Sequence, residues 1–323
     1  MIPDVVALEQ ISEDGAKRWG GKATNLGRLI RLGVAVPNGF CIAAEALERT
    51  LAAAGIQGDI DAAVGRLNYD DFAAVEAETK HIRGLIEHVS MPTDLQASIV
   101  AHHAALVSEA NPYVAVRSSV AVRGTTISSF PGMMDTYHYI RGSDEVLDSV
   151  RQCWASLWSA RAVHGRHHKG IPHANAIIAP IVQLMVNAES AGVLFTANPI
   201  TKDRNECVVE ANWGIGESVV SGRSMTDSFI LDKGAGCVKQ RAIATKTLMV
   251  VMDNDKGWGR KEIAVPSDRS SRPALSDAQL AELCAVGRLI EDHFAFPADI
   301  EWAFQHDTLY VLQARKIRNL DTP

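Results

Sequence analysis

The spacing of apolar residues changes partway along the chain, and this change constrains the fold more than any other feature of the sequence. In the first part, apolar residues recur at helical spacing, which predicts helices over 23–32, 43–54, 69–89, 92–110 and 144–169. Later, short apolar runs between turn residues predict strands over 177–186, 192–196, 207–211 and 228–231, followed by a helix over 278–294. The sequence therefore predicts an α+β protein with a helix-rich lobe, residues 1–186, and a strand-rich lobe, residues 187–323.

Composition and charge narrow the classes of function. The 38 acidic and 32 basic residues give a net charge of −6, so we expect no nucleic-acid partner. The longest apolar stretch, 175–195, contains Pro180, Gln183 and Glu189, which favours strands over a membrane span. The five cysteines lack metal-ligand spacing and residues 1–4 lack the pattern of a secretion signal, so we expect free thiols and a cytoplasmic protein.

The chain closes with a predicted hairpin whose register can be estimated from its polar turn. If Asp307 is the centre of the turn, Glu301 lies opposite Gln313 and Ala303 lies opposite Val311. Directly paired residues are about 5 Å apart at Cβ, which is close enough for two side chains to hold one small ion. A carboxylate and an amide oxygen are hard ligands of the kind that Mg²⁺ takes when phosphates and water fill its other positions.

Arg315 lies on the same predicted face of this hairpin as Glu301 and Gln313, because side chains alternate along a strand. An arginine in this position suits bidentate binding of a terminal phosphate. The alternative is an amphipathic hairpin whose polar face meets only solvent. The opposite face is predicted to be apolar and consists of Ile300, Trp302, Phe304, Tyr310 and Leu312.

Two further segments carry a cation where a phosphate could bind. Gly20-Gly21-Lys22 precedes a helix, and its small residues would let the backbone and the lysine approach a phosphate, although an ordinary turn is the alternative. It is not a Walker A loop, because the spaced first glycine is missing. Arg117 ends a short predicted strand over 114–116, where a ligand position and a structural salt bridge are both open.

The segment over 128–136 begins with small and polar residues. Its backbone N–H groups and the Thr136 hydroxyl could cover phosphates, or the segment could be a surface loop. Each of these signals is ambiguous when it is taken alone.

Together, the segments resemble the nucleotide-binding domain of the phosphoenolpyruvate synthase and pyruvate phosphate dikinase family, which includes the rifampin phosphotransferases. The matching segments are 20–26, 34–40, 116–119, 130–136, 192–196, 198–199, 213–217, 299–302 and 312–315. They follow the family's order and extend over nearly the whole chain, so the ordered set is far more specific than any single motif.

The resemblance implies an ATP-grasp-like fold with ATP in the cleft between two lobes. It implies that Lys22 and Arg117 hold the phosphates and that the loop containing Gly132 and Thr136 closes over them. It places Gln183 beside the adenine.

The resemblance also implies that Glu301 and Gln313 bind Mg²⁺ and that Arg315 stabilises the transferring group. Lys22, Arg117 and Arg315 would therefore be the catalytic cations. ATP brings about four negative charges, which three cations and a metal ion can neutralise without covalent chemistry on this chain.

The family's phosphate carrier is a histidine in a Thr-Ser-His sequence on a swivelling domain, and none of the eleven histidines has that context. His164, His167, His168 and His173 lie at or just after the end of a predicted helix, where solvated or dipole-compensating side chains are expected and metal ligation is the alternative. We therefore expect the phosphohistidine and the acceptor site on a separate protein or domain, with no membrane partner.

The sequence is interpreted as the ATP-binding subunit of an ATP-dependent phosphotransferase of the kinase or dikinase type. It would pass phosphate to that histidine and from there to a small acceptor, with the phenol-like acceptors of two-component aryl-phosphate synthases as the first hypothesis. One alternative is an excised ATP-binding domain of phosphoenolpyruvate synthase or rifampin phosphotransferase. The other is a non-catalytic regulatory nucleotide binder, which the joint presence of Glu301, Gln313 and Arg315 argues against.

Overall fold

The computed structural model describes residues 3–125, 135–318 and 320, which fall into two units. Unit 1 comprises residues 1–28 and 38–185, and unit 2 comprises residues 29–37 and 186–323. Residues 29–37 belong to unit 2, although the sequence places them in the first lobe, 1–186. A hydrogen bond explains part of it, because the Val311 N–H donates to the Ala35 carbonyl oxygen at 2.9 Å.

The described strands of the N-terminal half form one antiparallel sheet. These strands are β1 (Val5–Ala7), β2 (Gly39–Ile42), β3 (Val114–Val122), β4 (Thr136–Ile140) and β5 (Ala176–Leu184). Their order in the sheet is β1-β2-β5-β3-β4. The longest pairing joins β3 to β5 in an unbroken register from Val114 opposite Leu184 to Val122 opposite Ala176. This pairing fixes the centre of the sheet.

Helices cover this sheet and supply its hydrophobic core. They are α1 (Ala16–Arg31), α2 (Ala44–Ala54), α3 (Gln57–Gly65), α4 (Phe72–Glu87), α5 (Thr93–Leu106), α6 (Ser143–Ser156) and α7 (Ala160–His168). Ile82, Leu95 and Trp154 are buried in one cluster with Val116 and Ile178 of the strands. Apolar faces of α4, α5 and α6 are therefore removed from water together with the sheet.

The single helix predicted over 144–169 is wrong at its centre, where the chain forms two helices. After α6 the chain leaves the helical path, and the Ser159 hydroxyl caps α7 by accepting from the Ala162 N–H at 3.2 Å. The side chain of Arg166 stabilises the break, because its Nη1 donates to the Leu157 carbonyl oxygen at 2.7 Å. Apolar periodicity does not reveal such a break, since both helices bury the same kind of face.

The strands of the C-terminal half are β6 (Ser190–Phe195), β7 (Glu206–Trp213), β8 (Asp227–Asp232), β9 (Val238–Ala242), β10 (Leu248–Met252), β11 (Arg260–Ala264), β12 (Ala298–Gln305) and β13 (Thr308–Lys316). In the described residues, a six-stranded antiparallel sheet has the order β13-β12-β6-β7-β8-β9, and β10 pairs with β11 separately. The helices are α8 (Glu217–Val220), α9 (Ser267–Ser270) and α10 (Asp277–Phe294). Helices and antiparallel sheets thus occur in both units, which is an α+β arrangement.

The long helix α10 packs closely on the six-stranded sheet. It begins with a capping box formed by Ser276 and Gln279. A Cβ atom at Gly287 would lie only 2.7 Å from the side chain of Leu194 and 3.2 Å from that of Thr196, so a glycine is required for this approach. Of the helices within residues 3–125 and 135–318, none has the length and apolarity that crossing a membrane requires.

A buried arginine organises the histidines near the end of α7. Arg166 is only 1% exposed, and its Nε donates to His173 Nδ1 at 2.9 Å. Because Nδ1 accepts this bond, the neutral ring carries its proton on Nε2, which donates to the Tyr69 hydroxyl at 2.6 Å. His167 stacks on the Tyr69 ring with 3.5 Å between centroids. His173 is therefore a structural link in unit 1, whereas the sequence predicts a solvated or dipole-compensating side chain.

Unit 1 should lose stability in mild acid because His173 resists protonation. Burial, and to a smaller extent the charges of Arg166 and His167, together lower the pKa of His173 from 6.5 to about 4. The unfolded chain takes up this proton more readily, so the contribution is complete above pH 6.5 and is lost as the pH falls toward 4. We expect roughly 1–2 kcal/mol, reduced by the partial solvation of the ring.

Urea unfolding between pH 7.5 and pH 4.5 measures this effect. His173→Gln, which keeps a donor and an acceptor but does not titrate in this range, should flatten the decline in the free energy of unfolding. His168→Gln, at the exposed last position of α7, should leave it unchanged. Parallel curves for the unsubstituted protein and His173→Gln would refute the assignment.

Candidate functional site

The hairpin of β12 and β13 places Glu301 directly opposite Gln313. The prediction that Ala303 lies opposite Val311 is wrong, because the register shifts at a bulge between Glu301 and Trp302. Beyond the bulge, Trp302 pairs with Val311 and Ala303 pairs with Tyr310. The predicted pairing of Glu301 with Gln313 is therefore confirmed, whereas the pairing closer to the turn differs because of the bulge.

The bulge also changes which side chains anchor the hairpin. Paired residues of an antiparallel ladder point to the same side, so Tyr310 lies on the Glu301 side with Ala303, and not on the apolar side as predicted. Tyr310 and Leu312 are half-buried and pack with a small cluster that contains Ala303. The buried anchors on the opposite side are Ile300, Trp302, Phe304, Leu309 and Val311.

Arg315 is held by an acidic residue that the motif analysis missed. Its Nε and Nη2 atoms both lie 2.8 Å from one carboxylate oxygen of Asp299, the residue directly opposite it in the ladder. The pKa of the Asp299 carboxyl is raised above its ordinary value, mainly by burial. The Arg315 cation lowers this pKa, and the Glu301 carboxylate raises it. Asp299, Glu301, Gln313 and Arg315 thus form one polar face, and strand alternation from Glu301 could have revealed Asp299.

The glycine-rich segment of unit 1 lies against Ser119. Helix α1 is interrupted at Gly20, where φ is 72° and ψ is 168°. A Cβ atom at Gly20 would come closer than 3.0 Å to the side chain and backbone of Ser119. The Ser119 hydroxyl also accepts from the Ala23 N–H at 3.0 Å, which caps the helix where it resumes beside Lys22. Two motifs that are about one hundred residues apart in sequence therefore meet.

Arg117 lies inside β3 and not at its end, since the strand continues to Val122. Its direct partners are Thr136 of β4 and Ile181 of β5, while Ala115, two residues earlier, pairs with Gln183. Paired and alternate residues share a face, so Arg117, Thr136 and Gln183 project from one face of the sheet in unit 1. As whole residues, Arg117 and Gln183 are 8% and 2% exposed, respectively.

The predicted site residues thus form two sets. Lys22, Arg117, Thr136 and Gln183 belong to unit 1, whereas Glu301, Gln313 and Arg315 belong to unit 2. Gly132 lies in the segment 126–134, outside the described residues. In the part of the chain that the structure describes, no group of three or more His, Cys, Asp and Glu side chains is arranged to hold a metal ion. A metal held by Glu301 and Gln313 would accordingly need most of its ligands from elsewhere.

Ser119 is a second residue whose importance the motif analysis missed. In the sequence it is only a second serine after Arg117, with no distinctive spacing relative to Gly20. The contact depends on the path of β3 past the break in α1, so a linear pattern does not contain it.

The family described as "Pyruvate phosphate dikinase, AMP/ATP-binding domain" matches residues 16–322 of the chain. A probable phosphoenolpyruvate synthase of Pyrococcus horikoshii is 35% identical over 354 residues, which cover 97% of this chain and 43% of that protein. A probable phosphoenolpyruvate synthase of Methanocaldococcus jannaschii is 37% identical over 97% of this chain and 26% of its own length. A rifampicin phosphotransferase of a Streptomyces species is 36% identical over 98% of this chain and 36% of its own length. The chain thus spans less than half the length of these relatives.

Replacing Gly20 by alanine should destabilise unit 1 and disturb the start of the helix at Lys22. With φ of 72° and ψ of 168°, Gly20 has a backbone conformation that is essentially restricted to glycine and costs an alanine about 1–3 kcal/mol, and the contact with Ser119 adds strain to this cost. Gly55→Ala is the control for a positive φ without a close contact, because Gly55 is left-handed helical, with φ of 69° and ψ of 16°, and has no atom within 4 Å of the added Cβ. Urea unfolding should show a larger loss for Gly20→Ala. Equal losses would mean that the close approach to Ser119 has no energetic weight.

Proposed function

We propose, from the premise that the chain belongs to the pyruvate phosphate dikinase AMP/ATP-binding domain family, that it binds ATP with Mg²⁺ and transfers phosphate from it. The phosphate passes to a histidine on a separate domain or protein, and from there to a small acceptor. The observation that carries this proposal is the single polar face formed by Glu301, Gln313 and Arg315 in a chain of this family. A phosphotransferase needs this combination of oxygen ligands and a cation.

The fold proposed for this function is ATP-grasp-like. The relatives support the reaction class, since their names describe phosphoenolpyruvate synthases and a rifampicin phosphotransferase. They also contain more than this region, because the chain covers 43% of one and 36% of the other. We therefore place the phosphate carrier and the acceptor site outside the 323 residues of this chain.

The residues on the hairpin fit a magnesium ion. Glu301 and Gln313 are directly opposed, and both offer the hard oxygen donors that Mg²⁺ prefers. Only two protein ligands are needed, because Mg²⁺ in phosphotransfer sites keeps water and binds phosphate oxygens. When bound, the ion would neutralise charge on the phosphates and orient them.

In this proposal, unit 1 holds the nucleotide. Lys22, at the capped start of the resumed helix, and Arg117, on the sheet, would bind phosphate oxygens. Thr136 pairs with Arg117, so its hydroxyl would donate to a phosphate from the adjacent strand. Gln183 lies farther along the same face, where it would adjoin the adenine.

Arg315 would act mainly on the transition state. The bond from the terminal phosphorus to the departing nucleotide oxygen breaks as a bond from the same phosphorus to an imidazole nitrogen forms. Negative charge on the transferring oxygens is complemented by the guanidinium. Asp299 would orient the guanidinium beforehand, because it already engages Nε and Nη2 from the opposite strand. A fixed cation of this kind lowers the barrier without reorganising during the reaction.

The acceptor class and the compartment remain part of the proposal. A phenol-like acceptor in the cytoplasm is the first hypothesis, and pyruvate or rifampicin chemistry, as the relatives' names suggest, is the alternative. The chain matches larger phosphotransferases over almost its whole length. This favours a phosphotransferase domain over a non-catalytic regulatory nucleotide binder. A regulatory binder would not need Glu301, Gln313 and Arg315 together.

ATP should stabilise the chain in a Mg²⁺-dependent manner. A ligand at one hundred times its Kd raises the free energy of unfolding by about 2.7 kcal/mol, which a thermal shift detects. Glu301→Gln removes a charged metal ligand and should weaken the Mg²⁺-dependent part of ATP binding. Asp307→Asn makes the same kind of change in the exposed turn of the same hairpin and should have no effect. No shift of the unsubstituted protein at millimolar ATP and Mg²⁺ would exclude the proposal.

Arg315→Ala should impair transfer far more than binding. With labelled ATP and a family histidine domain supplied in trans, the unsubstituted chain should give a phosphoprotein that is acid-labile and alkali-stable. Arg315→Ala should slow this transfer by on the order of 10³, as arginines at phosphoryl centres do, while ATP affinity changes little. Asp299→Asn should slow transfer less, because the guanidinium stays but is less well oriented.

Lys316→Ala, a neighbouring exposed cation on the other side of β13, is the matched control and should transfer at the normal rate. A normal rate for Arg315→Ala would remove Arg315 from the proposed mechanism. Rapid transfer to a small acceptor without any histidine domain would overturn the need for a separate phosphate carrier.

A further inference from the structure

Two cysteines of unit 2 lie in contact inside its core. Cys207 is on β7 and Cys284 is on α10, and their Sγ atoms are 3.8 Å apart. Both side chains are buried, with 0% and 1% of the residue exposed. They are 77 positions apart in sequence, so only the packing of α10 on the sheet brings them together.

The surroundings of the two sulfur atoms differ. Cys284 Sγ lies 3.7 Å from the Lys233 carbonyl oxygen, and the Lys233 ammonium pairs with Glu291 of the same helix at 3.1 Å. A hydrogen bond from the Cys207 thiol, aided by the cations of Arg288 and Lys233, lowers the pKa of Cys284, whereas burial opposes this. The same hydrogen bond and burial raise the pKa of Cys207. The nearby cations of Arg288 and Lys233 favour a thiolate at Cys284, so Cys284 is assigned as the first nucleophile.

We propose that Cys207 and Cys284 form a reversible intrachain disulfide when the protein meets a small hydroperoxide. This proposal does not depend on the phosphotransfer function. The Cys284 thiolate attacks one peroxide oxygen, and the O–O bond breaks. Hydroxide is the leaving group, and Cys284 becomes a sulfenic acid. Cys207 sulfur then attacks Cys284 sulfur, so that an S–S bond forms and the S–O bond breaks. The departing hydroxide takes the Cys207 proton, and the peroxide receives the two electrons that the two thiols lose.

Geometry and burial define the reagent. The sulfurs must approach from van der Waals contact to about 2.0 Å, which side-chain rotation and a small shift of α10 would provide. A buried pair admits hydrogen peroxide more readily than a bulky aromatic or peptide disulfide, which would have to reach a sulfur in line for exchange. Cys237, which is exposed, should show the reverse preference.

The remaining cysteines are poor competitors for this reaction. Cys41 and Cys153 are buried in unit 1, where burial raises the pKa of both thiols, that of Cys153 to about 12. A bond between Cys207 and Cys284 would tie α10 to the sheet that carries Glu301 and Gln313. It would close a long loop, so the oxidised form should resist unfolding better than the reduced form.

The test uses the full chain with Cys237→Ser, which leaves four of its five cysteines. After a stoichiometric amount of hydrogen peroxide, thiol titration in denaturant should show the loss of two thiols. Peptide mapping without reductant should show one linked pair containing Cys207 and Cys284, and dithiothreitol should restore both thiols. The unfolding temperature should rise on oxidation and return on reduction. An aromatic disulfide reagent should leave both thiols unmodified in the folded protein.

Cys284→Ser in the same background should abolish the two-thiol loss and the rise in unfolding temperature. Cys153→Ala is the matched control, because it removes a buried thiol of unit 1 and should keep the linked pair. If a variant does not fold, as circular dichroism would show, peptide mapping of the unsubstituted protein decides alone. Over-oxidised single cysteines, or linked pairs other than Cys207 with Cys284, would overturn the proposal.

Discussion

The register between antiparallel strands decides where the candidate ligands of this protein lie. In unit 2, one bulge allows Glu301 to face Gln313 and Asp299 to face Arg315, while Trp302 keeps its place in the core. A shift by one residue would turn each of these side chains to the opposite face of the sheet. The burial of the apolar side chains on the opposite face therefore fixes the register and, with it, the position of the polar side chains.

The same constraint operates in unit 1, where it is joined by a contact between distant segments. The uninterrupted pairing of β3 with β5 puts Arg117 and Gln183 on one face. Ser119, two residues beyond Arg117, then fixes the break in α1 at Gly20. A cation on a sheet and a cation at a helix start are consequently linked by one buried serine, which gives both a defined backbone position.

One fully buried ion pair of unit 2, between Asp227 and Lys246, has additional hydrogen-bond partners built in around it. Asp227 and Lys246 are both fully buried and 2.7 Å apart, and Asp227 also accepts from the backbone N–H groups of Ala244 and Ala274. A buried ion pair needs such additional hydrogen bonds, because its mutual attraction alone does not offset the loss of hydration. Asp299 and Arg315 are less buried, and the two bonds from Nε and Nη2 to one carboxylate oxygen hold the guanidinium in a fixed orientation.

Local patterns in the sequence determined the positions of most helices and strands, the hairpin at the end of the chain, and the pairing of Glu301 with Gln313. These features follow from periodicity and alternation, which are properties of a short backbone segment. Tertiary structure alone decided the bulge beside Glu301, the contact of Gly20 with Ser119 and the proximity of Cys207 to Cys284. The last two arise where segments distant in sequence pack together, and the bulge arises where the hairpin keeps Trp302 in the core. The free energy that selects all three comes from the burial of many side chains at once. A short segment of sequence does not determine that total free energy.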